Sequence, residues 1–556
     1  MRIATGVGWL CVVVFATSSL AQEFLRLPMD EYVGRMKAGW VGQMVGVGWG
    51  GPTEFDYKPA YDVRDDGAVG DGKTLSTSAI QKTIDRCAAD GGGTVHLPPG
   101  TYLSGTLFLK DGVTLNVDAG ATLLGSPNPE HYPEIEPALR SYTDRYVCQS
   151  LIFAQQVEGV GLCGRGTIDG SGEAFHGKPW RARPYVIRLV QCRDVTVEGL
   201  TLRNSPMWMQ HYLACERLRI RALRVFNHGN ANNDGLDIDA CSDVIVSDCT
   251  IDSDDDALCL KSTLDRACEN VTVTNCVLRS RCSALKTGTE SHGGFRNIVI
   301  SNLAIRDTNK AGIALLNVDG GVMDRVTVSN INMHNVGVPI FIRLGDRGRT
   351  VVDGAPKAPV GAMSNIILSN IQADGAGAAG CPISGIPGHP IRNLTLENIR
   401  LDCRGGGGSD HALRQVPEKV NSYPHFQMFG TLPGYGFYCR HAENVRFEHL
   451  DLAFKKVDDR PALMVEDVRD LSLVDLAAQG TAAARAVVCL RQVEGAMIRG
   501  CRPRGPTSPF LLLEGKATQR ISIVGNDFTA TRRAIQAGPD VADDAATEAG
   551  NVAFGE

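Results

Sequence analysis

Short apolar-x-apolar runs recur along most of the chain, each opened by Asn, Asp or another polar residue. RDVTVEGLTL begins at Arg193, SDVIVSDCTI at Ser242, ENVTVTNCVL at Glu269 and RNIVISNLAI at Arg296. DRVTVSNINM at Asp324, SNIILSNIQA at Ser364, RNLTLENIRL at Arg392, ENVRFEHLDL at Glu443 and RDLSLVDLAA at Arg469 continue the series. Taking the first apolar residue of each copy as an anchor gives Val195, Leu218, Val244, Val271, Ile298, Val326, Ile366, Leu394, Val445 and Leu471, spaced 23, 26, 27, 27, 28, 40, 28, 51 and 26 apart. The two long spacings mark insertions at 343–362 and 403–440. Alternation within each run predicts strands with one buried face. A repeat of this length without helical periodicity predicts a coil of stacked rungs, a right-handed parallel β-helix. A propeller blade has a longer period and four strands, and fits worse.

Stacking brings equivalent positions into columns. Five residues after the anchors, Cys249 and Cys276 stand where other copies carry Leu or Ile. Three residues before them, Cys192, Cys215, Cys241 and Cys268 form another column. Buried thiols pack as small hydrophobes, and this reading outweighs a metal site, since no CxxC pair or interleaved histidine spacing is present. At the head of the coil, Ser76 or Thr77 caps a predicted helix with an apolar face of Ile80, Ile84 and Cys87, stopped at Gly91-Gly92-Gly93. Such a capping helix covers the open edge of the first rung. This opening, with the following DGVTLNVDAGATLLGS, resembles the first turn of the pectate-lyase-like (pectin-lyase-like) β-helix superfamily.

Composition narrows the setting. The chain has 556 residues, 43% hydrophobic, with a formal net charge of −6. That balance argues against a nucleic-acid partner. Arg2, an apolar run from Val7 to Phe15 and Ser19-Leu20-Ala21 predict a signal peptide over 1–21, too short for a membrane span, and hence a secreted or periplasmic protein. Export permits disulfides among the 17 cysteines. Residues 22–56 are predicted as a helical segment, 57–540 as the catalytic β-helix and 541–556 as a tail.

The densest chemistry lies in NNDGLDIDACSDVIVSDCTIDSDDDALCLKS, with nine aspartates between Asn232 and Ser262. Asp234 and Asp255 are 21 residues apart, close to one rung, so they can share a face of adjacent coils. Crowded like charges raise at least one carboxyl pKa, as a general acid near neutrality requires. A protonated carboxyl and a carboxylate together are the machinery of glycoside hydrolysis. The alternatives are a solvated acidic edge or a calcium site. Asp237 and Asp239 read as outward strand residues in support.

These motifs resemble those of glycoside hydrolase family 28, the polygalacturonases and their relatives. Asn232-Asn233-Asp234-Gly235 is similar to that family's Asn-Thr-Asp motif, and Asp255-Asp256 with Lys261 to its Asp-Asp motif and downstream lysine. The stretch from Gly288 to Ile298, with Glu290 and His292, resembles the segment after its third motif. The resemblance implies Asp255 as proton donor, Asp234 and Asp256 as the pair that activates water, and inversion at the anomeric carbon. It also implies a polysaccharide substrate, with Asn233, Glu290 and His292 among the substrate-binding positions, no cofactor or metal, and a monomer. Two motifs depart from the family. Cys282-Ser283-Ala284 stands in place of Gly-His-Gly, and the region of Gly312-Ile313-Ala314 in place of the Arg-Ile-Lys that binds the substrate carboxylate. A second segment, Met29 to Phe55, resembles the first helix of ADP-ribosylglycohydrolases, with Gly39, Gly42, Gly46 and Gly48 allowing close helix packing. It reads as a fusion remnant or cap.

Strand alternation turns Lys261, Lys286 and Arg343 outward, where they either bind a uronate carboxylate or offset the aspartates. The SGIPGHPI turn with His389 reads as structural. The aromatic-rich stretch from Tyr423 to His441 lies in the longest insertion and is positioned to stack on sugar and close one end of the groove, which favours exo action. An inverting hydrolase of pectin or a related acidic polysaccharide fits best. A β-helix lyase or epimerase and a non-catalytic carbohydrate-binding β-helix are the alternatives, because one coil hosts all three.

Overall fold

The computed structural model describes residues 9–12, 25–38, 40, 61–352, 354–507 and 509–553. The chain divides into two units, 1–60 and 61–556. In the first, Trp9–Val12 pairs antiparallel with Leu25–Pro28, and residues 29–38 are helical. Most of the predicted signal peptide, and the glycines at 39, 42, 46 and 48, lie outside the described residues. Among the described residues, no helix is long and apolar enough to cross a membrane.

The second unit is a parallel β-helix with three strands per coil. All ten anchors fall in one hydrogen-bonded column, from Val195↔Leu218 to Val445↔Leu471. None is more than 3% exposed, and burial of a Val, Leu or Ile side chain contributes about 1.5–3 kcal/mol. A second column runs Leu202, Val225, Ile251, Leu278, Ile305 and Met333. A third runs Leu189, Tyr212, Ile238, Leu260, Thr287, Leu315 and Ile342. Pairing continues past residue 540: Ala546–Ala549 adds to Gln519–Val524, and Val552–Ala553 to Asp527–Phe528.

The polar residues around each anchor are corners. The residue before the anchor and the one four after it adopt positive φ, as at Asn270, Asn275, Asn297, Asn302, Asn365 and Asn370. Asn tolerates the left-handed region better than most residues. Its amide also bonds to the next coil: Asn297 Nδ2 donates to Asn270 Oδ1 at 3.0 Å, and Asn398 Nδ2 to Asn370 Oδ1 at 2.7 Å. A ladder of amides therefore runs up the outside of the corners.

The thiol columns are interior as predicted. Cys249 and Cys276 are 1% exposed, and Cys192, Cys215, Cys241 and Cys268 are fully buried. These six are free thiols. Thr77–Ala89 forms the head helix, with Ile80, Ile84 and Cys87 buried. Ser76 occupies the cap position without capping. Its hydroxyl instead accepts from Val69 N–H at 3.0 Å, tying the helix start to the preceding loop.

Candidate active site

On the outer face of the third strand column, Arg188, His211, Asp237, Cys259, Lys286 and Ala314 stack on successive coils. Asp239 and Lys261 form the neighbouring column. Alternation correctly turns these side chains away from the apolar core, yet they are not solvent-facing. Asp237, Asp239, Lys261 and Lys286 are 0%, 1%, 3% and 7% exposed, because loops from the ends of the strands fold over this face.

Asp234 sits in the loop between Arg224–Asn227 and Leu236–Asp239. Asp255 and Asp256 sit one coil further, between Thr250–Ser253 and Leu258–Ser262. Backbone bonding sets the two loops against each other, with Gly235 N–H donating to Asp256 C=O at 2.9 Å. Glycine is required at 235, since a Cβ there would lie 2.4 Å from Ile251 Cγ2 and 2.6 Å from Ala257 O. The hydroxyls of Ser253 and Ser280 both donate to Asp255 C=O, at 2.7 and 2.6 Å. Asp256 accepts from Ser283 N–H at 3.1 Å and from Lys286 Nζ at 2.5 Å.

The three aspartates line one cleft of about 260 Å³ with Lys261, Lys286 and Glu290. Their environments differ. Burial and the Asp256 charge push the Asp255 carboxyl up. Burial, then Asp237 and Asp255, push Asp234 well up. For Asp256 the desolvation is outweighed by Lys286 and Lys261, and its carboxyl is held below the ordinary range. Two adjacent carboxyls thus shift in opposite directions: burial and the Asp256 charge prevail at Asp255, and Lys286 prevails at Asp256. Burial, opposed by Lys261, pushes Asp237 up to about 7.

Lys261 is the hub of a buried charge array. Its Nζ lies 3.3 Å from Glu290, 3.4 Å from Asp237 and 3.9 Å from Asp234, and 4.4 Å from the centre of the Trp208 ring. Glu290 continues to Arg349 at 3.1 Å, and Arg349 to Asp319 at 2.8 Å. Desolvation would raise Glu290, but Lys261 and Arg349 hold it well below its ordinary value.

Three predicted positions are not brought into the cleft. Asn233 is fully buried, its amide donating to Asn227 C=O at 2.7 Å, so it braces the loop while its neighbour Asn232 lines the cleft. His292 bonds through Nε2 to Arg349 C=O and pins that loop. Arg343 is 1% exposed. Its guanidinium donates to the carbonyls of Gly385, Glu418 and Lys419 at 2.8–3.2 Å. With Arg440, which binds Val416 and Pro417 C=O, it anchors the 403–440 insertion to the coil instead of facing a substrate. Burial lowers Arg343 to about 10.

The insertions supply residues that the repeat does not mark. Arg347 and Arg349 come from 343–362, and Tyr423 from 403–440; all three line the cleft with Tyr142, Tyr146 and Trp208. Arg347 lies 5.1 Å from the Tyr423 ring centre. GDRGR carries both arginines in the string that ends the Arg343 strand, which was the available signal. Lys310, two residues before Gly312, stands beside a small adjoining cavity and donates to Cys282 Sγ at 2.8 Å. Asp255, Asp256 and Cys282 are close enough to hold a metal ion together. Lys286 and Lys310 already occupy Asp256 and Cys282, and oppose a further cation there.

The family model for glycosyl hydrolases family 28 matches residues 87–422. A probable polygalacturonase of Vitis vinifera is 35% identical over 218 residues, 36% of this chain and 44% of the relative. An exo-poly-alpha-D-galacturonosidase of Dickeya chrysanthemi is 43% identical over 114 residues, 19% of this chain and 18% of the relative. The chain thus spans less than half the length of these curated relatives. Among solved structures, the family 28 exopolygalacturonase of Yersinia enterocolitica superposes with a TM-score of 0.59 at 20% identity, covering 74% of this chain and 78% of that one. The exopolygalacturonase of Thermotoga maritima gives 0.54 at 23% identity, covering 62% and 87%. At these identities the structures establish a shared fold.

Proposed function

The chain belongs to glycosyl hydrolases family 28, and from that premise we propose that it hydrolyses glycosidic bonds in a galacturonate-containing pectic polysaccharide, outside the cytoplasm. The observation that carries this reading is the split between Asp255 and Asp256. In a cleft of this size, Asp255 with its raised carboxyl pKa is suited to protonate the leaving oxygen. Asp256, kept anionic by Lys286, is suited to draw the proton from water. Asp234, on the adjacent coil, completes the set that orients that water, in the inverting manner.

Substrate charge is read from an arginine of the first insertion. Arg347 is half-buried, and its hydrogen bond is a long one to Thr289 Oγ1, at 3.4 Å. Burial and the neighbouring Arg349 lower its pKa, and no carboxylate pairs with it among the described residues. Arg349, by contrast, is occupied by Glu290 and Asp319. An unpaired guanidinium fork in a cleft favours a carboxylate ligand, so Arg347 does the work that Arg-Ile-Lys does elsewhere in the family. The two insertions flank the cleft and favour cleavage from chain ends.

Reducing-end release from defined pectic oligosaccharides tests this, comparing wild type, Asp255→Asn and Arg347→Gln. Asp255→Asn is expected to fold and to lose hydrolysis. Arg347→Gln is expected to raise KM on galacturonides about tenfold or more, the value of a charged hydrogen bond. Full activity in Asp255→Asn removes the proposed acid. An unsaturated, ultraviolet-absorbing product points to a lyase, and early random fragmentation of polymer removes the exo assignment.

A further inference from the structure

His228 follows the strand Arg224–Asn227 and opens the loop that carries Asp234. Its ring lies between two carboxylates of the next coil. Nδ1 is 2.6 Å from Asp254 Oδ1, and Nε2 is 2.9 Å from Asp252 Oδ1. Asp254 is the residue immediately before Asp255. Both ring nitrogens are thus within hydrogen-bond distance of a carboxylate. Phe226 packs on it at 4.5 Å between ring centres.

The other charges facing this group are arginines from the following coil. Arg279 pairs with Asp252 at 2.9 Å, and Arg281 with Asp254 at 3.1 Å. They hold the carboxylates in place from the far side, while His228 joins them to its own loop. The backbone makes one bond at the same seam, Asp254 N–H to Asn227 C=O at 3.1 Å. That bond joins backbone at the ends of the strands, whereas the His228 ring reaches both Asp252 near the strand end and Asp254 in the loop.

We propose that His228 is a positioning residue, whose ring straps the Asp234 loop to the Asp255–Asp256 loop and sets the spacing of the three catalytic carboxyls. This rests on the reading of Asp234, Asp255 and Asp256 as the catalytic set. The His228, Asp252 and Asp254 side chains are about one-fifth exposed or less, so the pairs are largely shielded from solvent. Their effect is geometric, and misplacement of a reacting group by about 1 Å is enough to cost roughly a hundredfold in rate.

The test measures kcat and KM on a galacturonide oligomer. His228→Ala is expected to lower kcat about tenfold or more with KM within about twofold. Asp254→Asn, which removes a partner and leaves His228 in place, is expected to do the same, and it serves if the alanine variant fails to fold. His228→Arg offers N–H donors to both carboxylates. It is expected to recover most of kcat. Wild-type kcat in both His228→Ala and Asp254→Asn overturns the proposal, as does an arginine variant as slow as the alanine one. Asp255→Asn run alongside separates the two readings. An active Asp255→Asn refutes the catalytic set itself, whereas an inactive one beside an unimpaired His228→Ala refutes only the strap.

Discussion

Replacing Lys286 with methionine keeps the stem of the side chain and removes the charge 2.5 Å from Asp256. Both partners are buried, at 7% and 2% exposure. Breaking such a pair from one side leaves an uncompensated carboxylate and costs about 3–5 kcal/mol. The sign with pH follows from the direction of each carboxyl. In the wild type, the lowered Asp256 carboxyl contributes stability that is present above the ordinary carboxylate range and lost as pH falls through its depressed value. In Lys286→Met the main opposing charge is gone, desolvation prevails and the carboxyl favours its proton. The stability deficit against wild type is therefore largest near neutral pH, about 3–5 kcal/mol, and smaller near pH 4. The same protonation removes the proposed base. The acid limb of kcat/KM moves to higher pH, with activity at about pH 5 down tenfold or more, each tenfold being ~1.4 kcal/mol. Urea unfolding at the two pH values and a pH–rate profile of reducing-end release measure both. An unmoved acid limb, or a deficit equal at both pH values, refutes the assignment of Lys286 as the group that keeps Asp256 anionic.

Two further outcomes follow from the scaffold. Arg440→Met removes charged hydrogen bonds to Val416, Pro417 and Glu418. It should cost about 2 kcal/mol or more and speed amide exchange within 409–435 before the coil itself opens; unchanged exchange there contradicts the anchoring role. Asn370→Gly keeps the φ of +55° and loses only the amide ladder, about 1 kcal/mol. Asn370→Ala adds left-handed strain of roughly 1–2 kcal/mol, so thermal melts that rank alanine above glycine speak against the corner reading.

The repeat made the coil legible because its register is written twice, in the apolar anchors and in the Asn or Asp beside them. Asp234, Asp255 and Asp256 were legible for the same reason, since one repeat length separates the loops that hold them. Alternation identified the outward side of Lys261, Lys286, Asp237 and Asp239, but it carries no information about what lies on top of that side. Arg343 shows the gap plainly. It points outward as expected and is then enclosed by carbonyls of an insertion that begins sixty residues later. Arg347 and Arg349 lie off the repeat altogether, so no column flags them, and only folding of the insertion over the charge array gives them partners. Asn233 failed for a local reason: its side chain satisfies the backbone of its own loop at Asn227.

Ile366 pairs with Val326 across a spacing of 40 residues, and Val445 with Leu394 across 51, in the same register as copies spaced 27 or 28 apart. Loop length is therefore a free variable at that corner. Closing entropy grows only logarithmically, by about 0.6 kcal/mol per doubling, while the stacked strands on either side are indifferent to the excursion. The molecule behaves as a rack with interchangeable fittings: the aspartates belong to the rack, and Arg347, Arg349 and Tyr423 belong to the fittings. Exchanging 345–361 or 406–435 for segments of other lengths is then a route to new sugar preferences that leaves the proposed acid–base set and the foldability of the coil in place.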